Sequence, residues 1–471
     1  MKKPVAIIYI AVFMAACCVP LGASLISPSD SSLGKEDAAA APELIKDGKV
    51  NGNIGSEFDD YFTKSIPFRP QIITAQNKIA SGLLGKESNN VITGKDGWLF
   101  TGESVDEYSG VMKSERSVHN ISETVRIMQK SITSQGANFV FMIAADKNQI
   151  YPEYMPSGFI KNEKNTLTVL EKYLKDDKIN YVSMKDEMLR QKKAGNQVYL
   201  KTDTHWNGLG ALYGYNAVMN AAGSPHETFS GVSFTVRNDW EGDIGKMLYP
   251  TSPAVCSQYY FDIDMSGVRF MQPRTNQTND ELLKDLMSDK EENDTNIRTM
   301  NPKGRGSLYF SRDSFGRAML PFVIGNYRFA AITRSRGFDL KDTAGSYTDV
   351  IYEMVERKLD SITDTVPLLY APGCDAPETD GLKSDAAEII NTKNDNGALK
   401  VYGLLDPDKV GTQSRIYIKI TEDGKDSFYE AFPICETLLL DKEEKSDYGF
   451  SALIPSLGDK ADTLKISVIC G

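Results

Sequence analysis

The stretch Phe-Val-Phe-Met-Ile at residues 139–143 decides the fold class of this 471-residue chain. No polar residue interrupts it, and four of its five residues are β-branched or aromatic. A strand of this kind is typically buried on both faces, as in parallel sheets. Residues 122–135, just before it, carry apolar side chains at helical spacing and end at Gly136, which predicts a helix. A helix followed by a doubly buried strand indicates an α/β fold.

The same order of elements recurs along the chain. Further helices are predicted at residues 166–174, 185–193, 208–222 and 315–322. Further strands are predicted at residues 181–182, 198–200, 308–310, 329–332 and 350–354, of which the last also fits helical spacing. Asn207 is a suitable cap and Gly223 a suitable end for the helix at 208–222. We therefore expect a parallel sheet flanked by helices.

Residues 203–206 read Asp-Thr-His-Trp and follow the predicted strand at 198–200. Of the three histidines in the chain, only His205 has a carboxylate two residues upstream, Asp203. Such a carboxylate can hold an imidazole in one tautomer, so that the other ring nitrogen acts as a base. The segment 311–316 offers a serine on a tight turn, and the two together suggest acyl transfer. Trp206 is interpreted either as a platform for a sugar ring or as an indole packed beside the loop.

Three basic residues are candidates for contacting a substrate. Lys147 follows the strand at 139–143, where an α/β sheet tends to place its functional loop. Arg312 and Arg317 lie beside the serine turn and are candidates for binding an anionic sugar. The simpler interpretations are an exposed or structurally paired lysine and two surface arginines.

The N-terminus indicates an extracytoplasmic protein. Lys2 and Lys3 precede an uncharged apolar run of roughly 22 residues, which is long enough to span a bilayer. Residues 1–26 are interpreted as an uncleaved anchor, a cleaved signal peptide or a lipoprotein signal before Cys17. Each alternative leaves the rest of the chain outside the cytoplasm, with residues 27–52 as a stalk.

Composition bears on partners and cofactors. A net charge of −11 argues against a nucleic-acid partner, which would need a basic face. The four cysteines beyond residue 26 are scattered without the spacing of metal ligands, so we predict neither a metal nor a cofactor. Cys435 and Cys470 would be able to pair in an exported protein, but free cysteines fit equally well.

The pattern changes in the last hundred residues. Apolar and polar residues alternate with period two at 399–402, 415–420 and 464–468, with turn-rich stretches between them. This predicts a small antiparallel β-sandwich over residues 366–471. The acidic stretch 280–296 is predicted to be an exposed loop.

Five blocks of sequence, in this order, resemble the alginate O-acetylation proteins and their Gram-positive relatives named for a DHHW motif. The blocks are GKDGWLF at 94–100, DKNQIYPEYMP at 146–156, TDTHWNGLGALYGYNAV at 202–218, GDIGKML at 242–248 and RDSFGRAMLPF at 312–322. The resemblance covers roughly residues 53–365 and implies an SGNH-hydrolase-like fold.

The resemblance also implies individual roles. The aspartate and histidine of the family motif fall on Asp203 and His205, and the nucleophile falls on Ser314. The backbone N–H groups of Phe315 and Gly316 are then the expected oxyanion donors. The order of aspartate, histidine and serine is permuted relative to ordinary SGNH esterases, which begin with the serine.

The implied activity is that of an extracytoplasmic polysaccharide O-acetyltransferase or acetylesterase. Its expected partners are a polysaccharide acceptor and a multispanning membrane-bound O-acyltransferase that supplies the acyl group. The β-sandwich is acceptable as a sugar-binding module. The alternative is a non-catalytic carbohydrate-binding or scaffold protein of an exopolysaccharide assembly, which would keep the fold with a silent triad.

Overall fold

The computed structural model describes residues 41–46, 49–65, 67–84, 90–271, 277–286, 295–335, 337–377, 382–439, 446–461 and 463–471, with isolated positions between 7 and 18. Apart from those isolated positions, the predicted anchor at 1–26 lies outside the described residues, and so does most of the predicted stalk at 27–52. Among the helices that are described, none is both long enough and apolar enough to cross a membrane.

The helices in the described ranges are α1 (Ile54–Ser65), α2 (Arg69–Leu84), α3 (Val105–Ser109), α4 (Glu115–Thr133), α5 (Lys147–Ile150), α6 (Thr166–Asp176), α7 (Met184–Lys193), α8 (Gly208–Ala222), α9 (Asp243–Leu248), α10 (Asn279–Leu286) and α11 (Leu320–Asn326). The strands up to residue 355 are β1 (Ile45–Lys46), β2 (Lys49–Val50), β3 (Val91–Thr93), β4 (Leu99–Thr101), β5 (Asn138–Ala144), β6 (Tyr181–Ser183), β7 (Phe234–Glu241), β8 (Val255–Phe261), β9 (Arg269–Phe270), β10 (Asn296–Met300), β11 (Arg305–Ser311), β12 (Tyr327–Thr333) and β13 (Asp349–Val355). The later strands are β14 (Gly373–Cys374), β15 (Ala387–Asp395), β16 (Ala398–Leu405), β17 (Ile416–Glu422), β18 (Lys425–Glu430), β19 (Phe432–Ile434), β20 (Gly449–Ile454) and β21 (Lys465–Cys470).

A seven-stranded sheet forms the centre of the α/β part, in the order β6-β5-β13-β11-β12-β10-β9. The first five strands of this order pair in parallel, and β10 and β9 extend the sheet with antiparallel pairs. The predicted parallel sheet is therefore confirmed, and the antiparallel edge is an addition that the sequence pattern did not indicate.

Strand β5 accounts for the two cores of this part. Because side chains alternate along a strand, its residues enter opposite faces of the sheet. Val140, Met142 and Ala144 lie in one hydrophobic cluster with α8 and α11, and Phe139, Phe141 and Ile143 lie in the other with α4 and α6. All six side chains are buried, as the uninterrupted apolar run predicts.

Some predicted elements differ from those observed. Helix α4 begins at Glu115, seven residues before the predicted start, because the Ser114 hydroxyl accepts the N–H of Ser117 and caps it there. The predicted strand at 198–200 is not part of any sheet. Its Leu200 N–H bonds to the carbonyl of His205 at 3.1 Å, so this segment folds back on its own loop.

Part of the predicted acidic loop is helix α10. Thr278 and Glu281 form reciprocal hydrogen bonds at its start, and Leu282 is buried. The Thr-x-x-Glu spacing is a capping box, a signal that is present in the sequence. Residues 287–294 of the predicted loop lie outside the described residues.

The C-terminal strands form two four-stranded sheets, in the orders β14-β18-β17-β21 and β15-β16-β20-β19. Apolar residues of both sheets enter one shared core, which gives the sandwich that the period-two pattern predicts. Cys435 and Cys470 are both buried and free, so they do not form a disulfide with each other.

The sandwich packs directly on helix α4. Phe432 and Ile434 of β19 belong to the hydrophobic cluster of the α/β part. Arg116 donates from Nη1 to the carbonyl of Gly411 at 2.8 Å and from Nε to that of Asp447 at 2.9 Å. The two parts therefore share apolar and polar contacts.

Candidate active site

Asp203 and His205 are hydrogen-bonded to each other in a tight loop. Nδ1 of His205 lies 2.6 Å from Oδ1 of Asp203, and the same oxygen accepts the His205 N–H at 3.0 Å. The other oxygen of Asp203 accepts Nε1 of Trp240 at 2.9 Å and the N–H of Asp243 at 3.2 Å. Both carboxylate oxygens are therefore fixed by protein donors, and they fix the imidazole in turn.

The charges of this pair favour a protonated ring. Burial alone would raise the pKa of Asp203, but the charge and hydrogen bonds of His205 hold that pKa below its usual range. Burial lowers the pKa of His205, whereas Asp203 raises it, and the net effect is a raised pKa. Asp243 adds a second negative charge, with Oδ2 3.7 Å from Nδ1 of His205. A base whose protonated form is stabilised in this way suits proton transfer from a serine.

Lys147 supports this loop from within the protein. Its Nζ donates hydrogen bonds to three backbone carbonyl oxygens, those of Leu200 at 3.1 Å, Lys201 at 3.0 Å and Asp203 at 2.5 Å. Burial lowers the pKa of Lys147 to about 8, although nearby Asp203 opposes the shift. The side chain is 4% exposed and is paired with these carbonyl groups, and a contact with substrate stays a prediction.

Trp206 is enclosed in the core and cannot stack on a sugar. Its side chain is fully buried, and Nε1 donates to the carbonyl of Phe315 at 2.9 Å. Its ring meets that of Phe315 edge-on, with centroids 5.3 Å apart. The partly exposed indole at the site is that of Trp240, which reaches Asp203 from strand β7.

The serine turn connects β11 to a 3₁₀ helix at Phe315–Met319, and Ser314 is partly exposed on it. Asp313 closes the turn, because its Oδ1 accepts the Phe315 N–H at 2.8 Å. Oε2 of Glu353 on β13 accepts the N–H groups of Asp313 at 3.0 Å and Gly316 at 3.1 Å. The two predicted oxyanion donors, Phe315 and Gly316, are therefore already used within the turn in this structure, and their oxyanion role stays a prediction.

Glu353 supports the turn from a fully buried position. Burial raises its pKa well above the usual range, and the neighbouring Asp313 adds to the increase. The protonated form is favoured, which avoids placing two carboxylate charges side by side under Ser314.

Contacts at Phe315 bring the histidine loop and the serine turn together. The His205 and Phe315 rings lie 4.8 Å apart between centroids, and Phe315 follows Ser314 in sequence. Nε2 of His205 is buried and has no hydrogen-bond partner, so it makes no hydrogen bond with the Ser314 hydroxyl in this structure. Catalytic hydrogen bonds are often longer in ligand-free enzymes than in substrate complexes.

The two candidate arginines are buried rather than on the surface. Arg312 is 3% exposed and donates from Nη1 to the carbonyl of Asp313 at 2.8 Å. Arg317 is 9% exposed and donates from Nη2 to the carbonyl of Asp285 on α10 at 3.2 Å. Both side chains are buried, so the surface interpretation is wrong for both, and a contact with an anionic sugar stays a prediction.

Asp243 is a polar site residue that the sequence pattern did not single out, although it lies in the quoted block GDIGKML. It holds the loop between the aspartate and the histidine. Its Oδ1 accepts the N–H of Thr204 at 2.7 Å, and its Oδ2 accepts the Thr204 hydroxyl at 2.5 Å. The signal available in the sequence was an acidic residue beside a glycine, in a block shared with the alginate O-acetylation proteins.

Asp203, His205 and Asp243 also place potential metal-ligand atoms within 4.8 Å of one another. The lone pairs of Asp203 already accept four N–H donors. A cation would have to displace some of these donors, so the arrangement fits a hydrogen-bonded dyad better than a metal centre.

Residues 91–288 match the family described as the SGNH hydrolase-like domain of the acetyltransferase AlgX. This range includes Asp203, His205 and Asp243, and it ends before Ser314. The chain is 27% identical over 212 residues to the probable alginate O-acetylase AlgJ of Pseudomonas aeruginosa, covering 45% of this chain and 50% of that protein. It is 26% identical over 214 residues to AlgJ of Pseudomonas syringae, covering 45% and 51%. The chain thus spans about half the length of these curated relatives.

Solved structures give partial superpositions. The O-acetyltransferase domain of Pseudomonas putida AlgJ superposes with a TM-score of 0.38 and 16% identity, over 57% of this chain and 92% of that one. A DHHW family protein from Eubacterium siraeum superposes with a TM-score of 0.42 and 16% identity, over 60% of this chain and 97% of that one. Bacillus cereus PatB1 superposes with a TM-score of 0.43 and 16% identity, over 57% of this chain and 97% of that one. The sequence matches confirm the predicted resemblance: this chain is similar to the alginate O-acetylation proteins, and its match to their SGNH hydrolase-like domain lies over residues 91–288.

Proposed function

We propose that this protein transfers acyl groups, most simply acetyl groups, to or from a polysaccharide, with Ser314 as nucleophile, His205 as base and Asp203 as the residue that orients the base. One observation carries the proposal. The His205 ring is bound at Nδ1 by Asp203, and it packs against Phe315, the neighbour of Ser314, with Nε2 left unpartnered. The sequence similarity to proteins named as probable alginate O-acetylases supports an acyl-transferase.

In the first step, Nε2 of His205 takes the hydroxyl proton of Ser314 while Oγ bonds to the carbonyl carbon of the acyl donor. The carbonyl π pair moves to oxygen and forms a tetrahedral intermediate. Asp203 stabilises the imidazolium that forms, because its carboxylate lies close to Nδ1. The raised pKa of His205 agrees with this stabilisation.

In the second step, the carbonyl double bond reforms and the bond to the leaving oxygen breaks. The leaving oxygen takes the proton from Nε2 of His205, and an acyl-serine remains. A sugar hydroxyl then repeats the sequence as nucleophile, which transfers the acyl group. Water in place of the sugar gives the esterase reaction.

The proposal includes an extracytoplasmic site and a membrane-bound acyl donor. The two lysines before the apolar run at 5–26 support an anchored or exported chain with its main part outside the cytoplasm. An extracytoplasmic transferase needs an acyl group carried across the membrane, and a multispanning O-acyltransferase is the partner we propose for that task.

Hydrolysis of an activated acetyl ester tests the chemistry. We expect the full chain to hydrolyse the ester. We expect S314A and H205A to have a kcat lower by about 10³-fold or more. S311A is the matched control, because Ser311 lies on the same segment but its hydroxyl is buried against the carbonyl of Ser335 at 3.1 Å. We expect S311A to remain active.

The alternative is a non-catalytic glycan-binding or scaffold protein. The missing hydrogen bond between His205 and Ser314 is the observation that favours it. If the parent chain is no faster than folded S314A, the acyl-transfer proposal is wrong, and binding of the chain to polysaccharides becomes the next measurement.

A further inference from the structure

The turn that carries Ser314 offers few donors for a developing negative charge. The N–H groups of Phe315 and Gly316 are bonded to Asp313 and Glu353. Only the N–H of Ser314 itself makes no hydrogen bond with a described residue. A tetrahedral intermediate carries a full negative charge on oxygen, and efficient sites aim several donors or a cation at it. A further donor must therefore come from another element.

Arg357 lies at the carboxyl edge of the central sheet, two residues beyond β13. Its guanidinium carbon is 5.4 Å from the centre of the Phe315 ring, which the His205 ring also contacts. Asp313 of the serine turn accepts the N–H of Val355, the last residue of β13, at 2.8 Å. These contacts bring the guanidinium beside both the serine turn and the histidine.

The guanidinium is buried but keeps unused N–H groups. Its side chain is 8% exposed, and Nη1 donates to Oδ1 of the buried Asp146 at 2.5 Å. Nε is buried without a hydrogen-bond partner, with Oε2 of Glu103 3.6 Å away. Nη2 makes no hydrogen bond with any described residue. An arginine has five N–H donors, so one carboxylate leaves it able to serve a second anion.

We propose that Arg357 is a catalytic residue of the proposed acyl transfer, and that its guanidinium donates to the carbonyl oxygen of the acyl group as that oxygen becomes negative. The inference rests on the proposed function. The Ser314 N–H is the second donor. No proton leaves the guanidinium at any stage: as the carbonyl double bond reforms, the charge on oxygen disappears and the hydrogen bonds weaken.

The competing role for Arg357 is a brace. In that role its ion pair with Asp146 would only hold the end of β13 against the start of α5. The two roles differ in what a change at Asp146 does. The D146N substitution removes the ion pair and keeps the guanidinium, so it should damage a brace as much as R357Q does, but should largely preserve an oxyanion donor.

The experiment compares R357Q, R357K, D146N and the double variant D146N/R357Q in the full chain, with kcat and KM measured on an activated acetyl ester. We expect R357Q to lose about 10²- to 10³-fold in kcat with a much smaller change in KM, as removal of one oxyanion donor does elsewhere. R357K, which keeps the charge but not the geometry, should fall between R357Q and the parent. D146N should keep most of the parent kcat, and added guanidinium should restore part of the activity of R357Q.

The double variant D146N/R357Q is the control for misfolding, because it replaces both members of the ion pair and leaves no buried charge without its partner. If the double variant is folded and as inactive as R357Q, the loss of activity is caused by the loss of the guanidinium. If R357Q keeps the parent kcat, or if D146N loses as much as R357Q, the inference is wrong while the proposed function stands. If the parent itself has no turnover that depends on Ser314, the proposed function is wrong and the inference falls with it.

Discussion

Replacing Glu353 with glutamine tests the protonation of the carboxyl that holds the Ser314 turn. Burial and Asp313 raise the pKa of Glu353 in the folded protein. The unfolded chain has an ordinary glutamate and releases this proton above about pH 4.3. Between the two pKa values the folded state therefore holds one proton more than the unfolded state. The free energy of unfolding then falls by about 1.4 kcal/mol for each pH unit of increase.

The E353Q variant has no proton to release, so it should lack this pH dependence. Its amide oxygen can accept the N–H groups of Asp313 and Gly316, and its amide N–H can face the Asp313 carboxylate. Relative to the parent, E353Q should gain about 1.4 kcal/mol per pH unit from about pH 5 up to the folded-state pKa of Glu353. The E353A variant leaves two N–H groups unpaired at about 1–3 kcal/mol each, a loss of about 2–6 kcal/mol before any cavity is counted.

Denaturant unfolding at pH 5, 6 and 7 measures these differences. Tryptophan fluorescence is a suitable signal, because all three tryptophans, Trp98, Trp206 and Trp240, lie in the α/β part. The E163Q variant, at a largely exposed carboxylate, is the control for losing one negative charge. Parallel pH dependences of E353Q and the parent would refute the reasoning, and so would an E353Q as unstable as E353A.

Two further predictions concern the histidine loop. W206F removes the hydrogen bond to the Phe315 carbonyl and should cost about 1–3 kcal/mol in the free energy of unfolding, before the smaller ring is counted; a loss below about 0.5 kcal/mol in denaturant unfolding would contradict this. D243N removes a negative charge 3.7 Å from Nδ1 of His205, while Asp203 and Arg357 continue to act on the ring. Because that charge helps to raise the His205 pKa, the acid limb of the kcat/KM profile should move to lower pH. An acid limb that does not move would exclude this effect.

Features that depend on residues close in sequence could be predicted. The doubly buried strand β5 follows from an uninterrupted apolar run, and helix α8 follows from its cap Asn207 and its end at Gly223. The contact of Asp203 with His205 spans two residues, so a short motif indicates it. The position of Ser314 on a turn after a strand is likewise local.

Features that depend on strand pairing could not be predicted. Glu353 and Arg357 reach the serine turn only because β13 lies beside β11 in the sheet, and no periodicity in the sequence reveals that neighbour. The N–H groups of Phe315 and Gly316 look available until the buried acid of β13 is placed. Trp206 follows a histidine that faces the site, but its own side chain turns inward, and the sequence gives no sign of that direction.

The contact between helix α4 and the sandwich limits how the chain can be shortened. Cutting after residue 365 would remove Phe432 and Ile434, leave the apolar face of α4 uncovered and take Glu430 from Arg126. Uncovered apolar patches of this kind promote aggregation. Such a fragment retains every residue of the candidate site, yet its poor solubility would imitate a loss of activity. Truncation is therefore unsuitable for testing whether the sandwich takes part in the chemistry, and point substitutions on its outer surface are the cleaner approach.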